Sequence, residues 1–178
     1  MPTPKGKHVR LTTSVDANLM HCLVTGRSLT GIIHYLNQCP IDWYSKKQNT
    51  VETATFGSEF VAARIATEQV MDLKYTLRML GAPLDGPGWM FGDNKSVVTV
   101  PKCTLKKRHN ALSYHRVREA CAAGVMWFLH TPGKTNSADV LTKFLPWADM
   151  KDKLGPTLFW KGNTLNFPSP KVEGSVKP

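Results

Sequence analysis

Asp16, Glu59, Asp93 and Asp139 are acidic residues set against apolar or helical surroundings in a chain otherwise rich in positive charge. Burying a carboxylate is costly unless it is paired or binds a cation. Hard divalent cations take oxygen ligands, so four such acids brought together would form a site for a pair of them, about 3.5–4 Å apart. In such a site one cation activates water and the other steadies the departing oxygen, which is the chemistry of phosphodiester hydrolysis. Taken singly, each acid has a structural reading: Asp16 as a strand-end turn residue, Glu59 as a first-turn helix acid, Asp93 and Asp139 as helix caps. The combination favours the chemical reading.

The elements that must position these acids can be read from periodicity. His8–Ala17, Ser28–Leu36 and Ile41–Ser45 read as three strands, the last two joined by the turn-like Asn37-Gln38-Cys39-Pro40. Three strands this close in sequence predict an antiparallel meander. From Thr55 to Leu80 apolar positions recur at helical spacing (Phe60, Ala63, Thr67, Val70, Leu77), and Gly81-Ala82-Pro83 ends the helix. Trp89-Met90-Phe91 reads as a short buried strand and Asp93-Asn94 as the cap of a following helix. Asn110–Ala123 is a second helix ended by Gly124, Val125–His130 an apolar strand, and Ser137–Leu145 a short last helix capped by Ser137. Strand ends and helix starts would bring the four acids to one rim of a mixed α/β sheet.

The 178 residues suit one domain of ordinary size, and 23 Lys and Arg against 13 Asp and Glu give a formal charge of +10. That balance favours a polyanionic partner, nucleic acid before membrane. Cys22, Cys39, Cys103 and Cys121 form no C-x-x-C pair, which excludes a zinc knuckle or redox motif and predicts free thiols. The basic amino end precedes no apolar segment, and no stretch is long enough to span a membrane. The expectation is a soluble, non-secreted chain, cytoplasmic or nuclear.

Six sequence blocks carry a resemblance. Ile41-Asp42-Trp43-Tyr44-Ser45-Lys46-Lys47-Gln48 is similar to the I-x-W-x-S-K-K-Q signature of the ribonuclease H domain that closes the polyprotein of copia-type retrotransposons. In the family's order stand Val15-Asp16-Ala17 with Arg27-Ser28-Leu29-Thr30-Gly31, then Ser58-Glu59-Phe60-Val61-Ala62, Asp93-Asn94-Lys95-Ser96, His115-Arg116-Val117-Arg118-Glu119 and Ala138-Asp139-Val140-Leu141-Thr142-Lys143. The segment departs from the family at Asn18–Thr25, which lacks acids, and at Thr53–Gly57, where S-S-T-E-A is usual.

The resemblance implies a ribonuclease H-like α/β fold, a five-stranded mixed sheet in the order β-β-β-α-β-α-β-α with helices on both faces. It further implies hydrolysis of the RNA strand of RNA–DNA hybrids, with Asp16, Glu59, Asp93 and Asp139 as ligands of two Mg²⁺ ions and Mn²⁺ as a substitute. The implied partners are the hybrid and the reverse transcriptase domain of a parent polyprotein, the latter expected to be absent here. The domain is expected over residues 8–147, flanked by extensions at 1–7 and 148–178. The latter ends in a Pro/Ser/Lys-rich tail with the composition of a disordered segment.

His130, nine residues before Asp139, stands where cellular ribonucleases H carry a mobile histidine, and is the candidate acid/base or product-release group. Its alternative is a strand-end histidine with no role. Lys102, Lys106, Lys107, Arg108 and His109, with Asn94, Arg116 and Arg118, form the candidate phosphate-binding set. Trp43, Trp89 and Trp127 are expected in the core. Two rivals remain: an integrase or transposase core, disfavoured because its glutamate comes last, and a degenerate or domesticated module that binds nucleic acid without cutting.

Overall fold

In a computed structural model, which describes residues 2–99 and 111–158, a five-stranded mixed sheet forms the centre of the molecule. Its strands are β1 (Leu11–Asn18), β2 (Leu29–Leu36), β3 (Cys39–Lys47), β4 (Gly88–Gly92) and β5 (Met126–His130), in the order β3-β2-β1-β4-β5. β1, β2 and β3 are an antiparallel meander, while β4 and β5 continue the sheet parallel to β1. The helices are α1 (Thr55–Met79), α2 (Lys95–Thr99), α3 (Ala111–Ala122) and α4 (Trp147–Leu158), with 3-10 turns at Gly133–Thr135 and Ser137–Leu141.

Side chains that alternate along β1 explain how one strand serves both a core and a site. Leu11, Val15 and Ala17 join Phe60, Ala62, Ala63, Ala66 and Val70 of α1, with Tyr114, Val117 and Ala120 of α3, in one apolar cluster. The alanines let the α1 backbone lie close to the sheet, and Phe60 fills the space between α1 and α3. Asp16 points to the opposite face, as does its register partner Gly31. There the turn at 137–141 covers the sheet. A methyl group on Gly31 would lie 2.6 Å from Thr142 and 2.8 Å from the Ala138 carbonyl, so only glycine admits this turn so near β2. Ser45 Oγ donates to the Leu141 carbonyl at 2.8 Å and Tyr35 pairs with Ser137 at 2.7 Å, which tie the turn to β3 and β2.

Topology then selects the rim. β3 is antiparallel to β2 and so runs parallel to β1, which means that α1 begins at the edge where β1 ends. The chain after β4 and after β5 leaves the sheet at that same edge, because both strands parallel β1. β1 is also where parallel pairing gives way to antiparallel, the switch point at which open α/β sheets form clefts.

Local departures from the sequence reading have physical reasons. The turn between β2 and β3 is confined to Asn37-Gln38, with Asn37 in the left-handed region (φ 58°), and Cys39-Pro40 already belong to β3, an edge strand that tolerates proline. The expected helix Ser137–Leu145 is a 3-10 turn capped by Asn136, not Ser137. Beyond Pro146, where no element was expected, α4 forms. Trp43 is 68% exposed and Trp127 41%, so neither is core; Trp89 is half-buried beneath the Arg10 guanidinium. Lys102, Lys106, Lys107, Arg108 and His109, and the tail from residue 159, lie outside the described residues. No described helix is long and apolar enough to cross a membrane.

Candidate active site

Three of the four acids converge. Asp16, near the end of β1, Glu59, in the second turn of α1, and Asp93, directly after β4, each offer a carboxylate oxygen within 4.8 Å of the others. They line an open cleft of about 540 Å³, with Thr55, Asn94 and Lys143 at its border. Asp16 and Glu59 are buried and Asp93 half-buried.

The electrostatics of this trio are those of an acid cluster short of positive charge. Burial, then repulsion from Asp16 and Asp93, pushes the Glu59 carboxyl up to about 9. Burial likewise lifts Asp16 to about 6, against the pull of the Thr142 hydroxyl and Lys143, and it raises Asp93. Among the described residues, Asp16 Oδ1 is a buried oxygen with no hydrogen-bond partner. Its other oxygen accepts from Thr142 Oγ1. An aspartate with an orphaned carboxylate oxygen, grouped with two more carboxylates, is a donor set that fits a hard divalent cation.

Asp139 takes a different position. It sits in the turn after β5, and its carboxylate is paired with Lys143 through Oδ1 at 2.6 Å and with Lys153 through Oδ2 at 2.8 Å. Burial acts to raise its pKa, but the two lysine contacts outweigh it and leave the group below the ordinary carboxylate range. Lys143 also stands 3.5 Å from Asp16 Oδ2, so one ammonium lies between the two aspartates. Its own pKa is raised, since Asp139 and Asp16 overcome the effect of burial.

The residues around the cleft explain its shape. Gly133 lets its loop pass over Asp93, because a methyl group there would lie 3.1 Å from Asp93 Oδ2. Asn136 donates to the Val15 carbonyl at 3.0 Å, and Asn18 to the Thr142 carbonyl at 3.0 Å, which fastens the turn to both ends of the Asp16 segment. Asn94 caps α2 by accepting from the amides of Ser96 and Val97. His130 closes β5 opposite Gly92, and its Nε2 lies 3.0 Å from the Asp93 carbonyl. Because a carbonyl only accepts, Nε2 carries the proton of that bond. Arg116 lies on α3 in a partly exposed pair with Glu119 at 3.4 Å, a weak contact that leaves its charge available. Exposed His115 packs edge-on against Tyr114.

Sequence reasoning missed Lys153, which belongs to the segment after Pro146 where no pattern was read. Thr142 and Lys143 were visible within the Ala138–Lys143 block, but nothing in their spacing showed that they face Asp16. Gly31 stood in the Arg27–Gly31 block, but nothing there showed that it makes room for the turn at 137–141, and Gly133 gave no signal beyond being a glycine.

The architecture is that of the ribonuclease H fold. The N-terminal ribonuclease H domain of Rv2228c from Mycobacterium tuberculosis superposes with a TM-score of 0.58 at 12% identity, covering 83% of this chain and 97% of that one. RNase H1 from Halobacterium salinarum gives 0.55 at 16% identity, covering 76% and 94%. LC11-RNase H1 in complex with an RNA/DNA hybrid also gives 0.55 at 16%, covering 75% and 92%. No protein-family model matches the chain.

The sequence relatives are retrovirus-related Pol polyproteins from transposons. That from transposon RE2 of Arabidopsis thaliana is 29% identical over 119 residues, 65% of this chain, and that from TNT 1-94 of Nicotiana tabacum 27% identical over 134 residues, 74% of it. The aligned region spans 8% and 10% of those polyproteins. Fold and relatives are together consistent with the copia-type resemblance read in the six blocks.

Proposed function

We propose that the chain is a hydrolase that cleaves the RNA strand of RNA–DNA hybrids, with two Mg²⁺ ions held at Asp16, Glu59, Asp93 and Asp139. The observation that carries this reading is the convergence of three buried or half-buried carboxylates at the switch point of a ribonuclease H-like sheet, with an unpartnered Asp16 oxygen among them. When bound, the ions supply an activated water and a counter-charge for the departing 3′ oxygen.

The chain's own residues have separate tasks in this scheme. Asp16, Glu59 and Asp93 give up their protons on loading, so cation binding is favoured as pH rises. Thr142 holds one Asp16 oxygen, Oδ2, through its hydroxyl and leaves Oδ1 without a hydrogen-bond partner for a cation to take up. His130, anchored through Nε2 to the backbone of Asp93, retains Nδ1 as its basic nitrogen and is the candidate group for moving a proton at the leaving oxygen. Asn94, Arg116 and the basic segment Lys102, Lys106, Lys107, Arg108 and His109 supply phosphate contacts, which set affinity without reading sequence. Hybrid recognition then rests on groove shape and 2′-hydroxyl contacts. Mn²⁺, which takes the same oxygen ligands, is expected to substitute for Mg²⁺.

The test is incubation of the full chain with a hybrid labelled on its RNA strand, with Mg²⁺ or with chelator. Shortened RNA only in the presence of Mg²⁺ is the expected result. Binding without cleavage would support the domesticated-module reading, and joined strands would support an integrase-like core.

A further inference from the structure

The most densely bonded cation in the described structure belongs to a segment outside the six sequence blocks. Lys153, on α4, carries a side chain that is only 8% exposed. Its ammonium donates to the Gly133 carbonyl at 2.5 Å, to the Lys134 carbonyl at 3.2 Å, to the Asn136 carbonyl at 3.3 Å and to Asp139 Oδ2 at 2.8 Å. An ammonium has three protons, so this set saturates it and shares one proton between neighbouring acceptors. Every acceptor lies within residues 133–139, the loop that carries Gly133 over Asp93 and presents Asp139 to the rim.

Two consequences follow from that geometry. The backbone bonds that close the loop's 3-10 turns are long, Asn136 N–H to the Gly133 carbonyl at 3.3 Å and Asp139 N–H to the Asn136 carbonyl at 3.4 Å, and Lys153 donates to both of these carbonyls and to that of Lys134. It also occupies Oδ2 of Asp139, so that Oδ1 is the oxygen turned toward Lys143 and, through it, toward Asp16. With Oδ2 fixed from behind, the carboxylate loses rotamer freedom before any ligand arrives, and Oδ1, here held by Lys143, is the oxygen that a divalent cation would take over.

We propose that Lys153 is a positioning residue for the metal site: α4 acts as a brace that locks the 133–139 loop and turns Asp139 Oδ1 toward Lys143 and Asp16, the side on which a divalent cation would be held. This inference rests on the hydrolase reading of the same site. It extends the functional unit to α4, past residue 147, so that a segment beyond the recognisable blocks becomes part of the catalytic apparatus.

The experiment uses the full chain as wild type, K153M and K153R, with K153Q standing in should K153M fail to fold. Amide hydrogen exchange without metal is followed over residues 131–142, and Mn²⁺ affinity is read from the concentration dependence of the melting temperature. The expected result for K153M is faster exchange confined to that loop and Mn²⁺ affinity weakened by about 10-fold or more, with K153R recovering part of both. Unchanged exchange, or faster exchange with unchanged Mn²⁺ affinity, would overturn the positioning role. The two readings fail separately: a wild type that binds Mn²⁺ yet cuts no hybrid removes the hydrolase and leaves the brace. A wild type that cuts, beside a K153M that binds Mn²⁺ equally well, removes the brace alone, and a wild type that binds no divalent ion removes both.

Discussion

Glu59 carries the largest electrostatic strain in the site. Its carboxyl is buried near the start of α1, lies beside two aspartates, and has its pKa pushed from an ordinary 4.5 to about 9. Between those values the folded chain holds a proton that the unfolded chain has released, so stability falls as pH rises through that window. The metal-free protein should therefore melt at progressively lower temperature from about pH 5 to pH 9. Glu59→Gln should flatten that slope, match wild type near pH 5, and melt on the order of 5 °C higher at pH 8, as measured by calorimetry. A wild-type melting temperature that climbs over the same range would contradict the assignment. Asp139 behaves oppositely: two lysines hold it ionised, so its contribution is present above the ordinary carboxylate range and lost in acid. The four acids were legible in the sequence as types and positions. Their division into a strained trio and a neutralised fourth was not, because that depends on lysines that meet Asp139 only in the folded chain.

Among the elements, the turn at 137–141 is the one on which the site's geometry depends most. It lies against β2 only because Gly31 has no side chain, and it returns Thr142 and Lys143 to Asp16. Gly31→Ala should destabilise the fold by about 1–3 kcal/mol through overpacking, and lower Mn²⁺ affinity as the turn is pushed outward. Thermal melts with and without Mn²⁺ read both effects, and a variant identical to wild type in each would show that the turn has room to spare. The long helix and the strands were readable because apolar periodicity declares them: Phe60, Ala63 and Val70 recur on one side of α1, and each of β1 to β5 overlaps a run singled out by composition. The short turns and α4 were not. A 3-10 turn of five residues has too few positions to show a period, and α4 is held in part by Lys153, a polar contact that periodicity does not detect. Trp43 and Trp127 were misjudged for a related reason, since strand composition does not reveal which strand is the edge and which face stays open.

At the level of the whole molecule, a +10 chain brings Asp16, Glu59 and Asp93 together in one cleft. Duplex binding should be driven by phosphate contacts, so log affinity for a hybrid should fall linearly with log salt, with a slope of about −3 to −5 for four or five contacts. Arg116→Ala should make that slope shallower by about 1, measured by fluorescence anisotropy across salt concentrations. A salt-independent affinity would point to a different mode of recognition. The central claim is that the carboxylate trio performs hydrolysis, and single-turnover cleavage of an RNA–DNA hybrid in Mg²⁺ by wild type and Asp93→Asn tests it most directly. The account predicts that Asp93→Asn binds the hybrid within a few-fold of wild type but cuts the RNA strand slower by about 10³ or more, a loss of roughly 4 kcal/mol in transition-state stabilisation. Equal cleavage rates for the two proteins would contradict it.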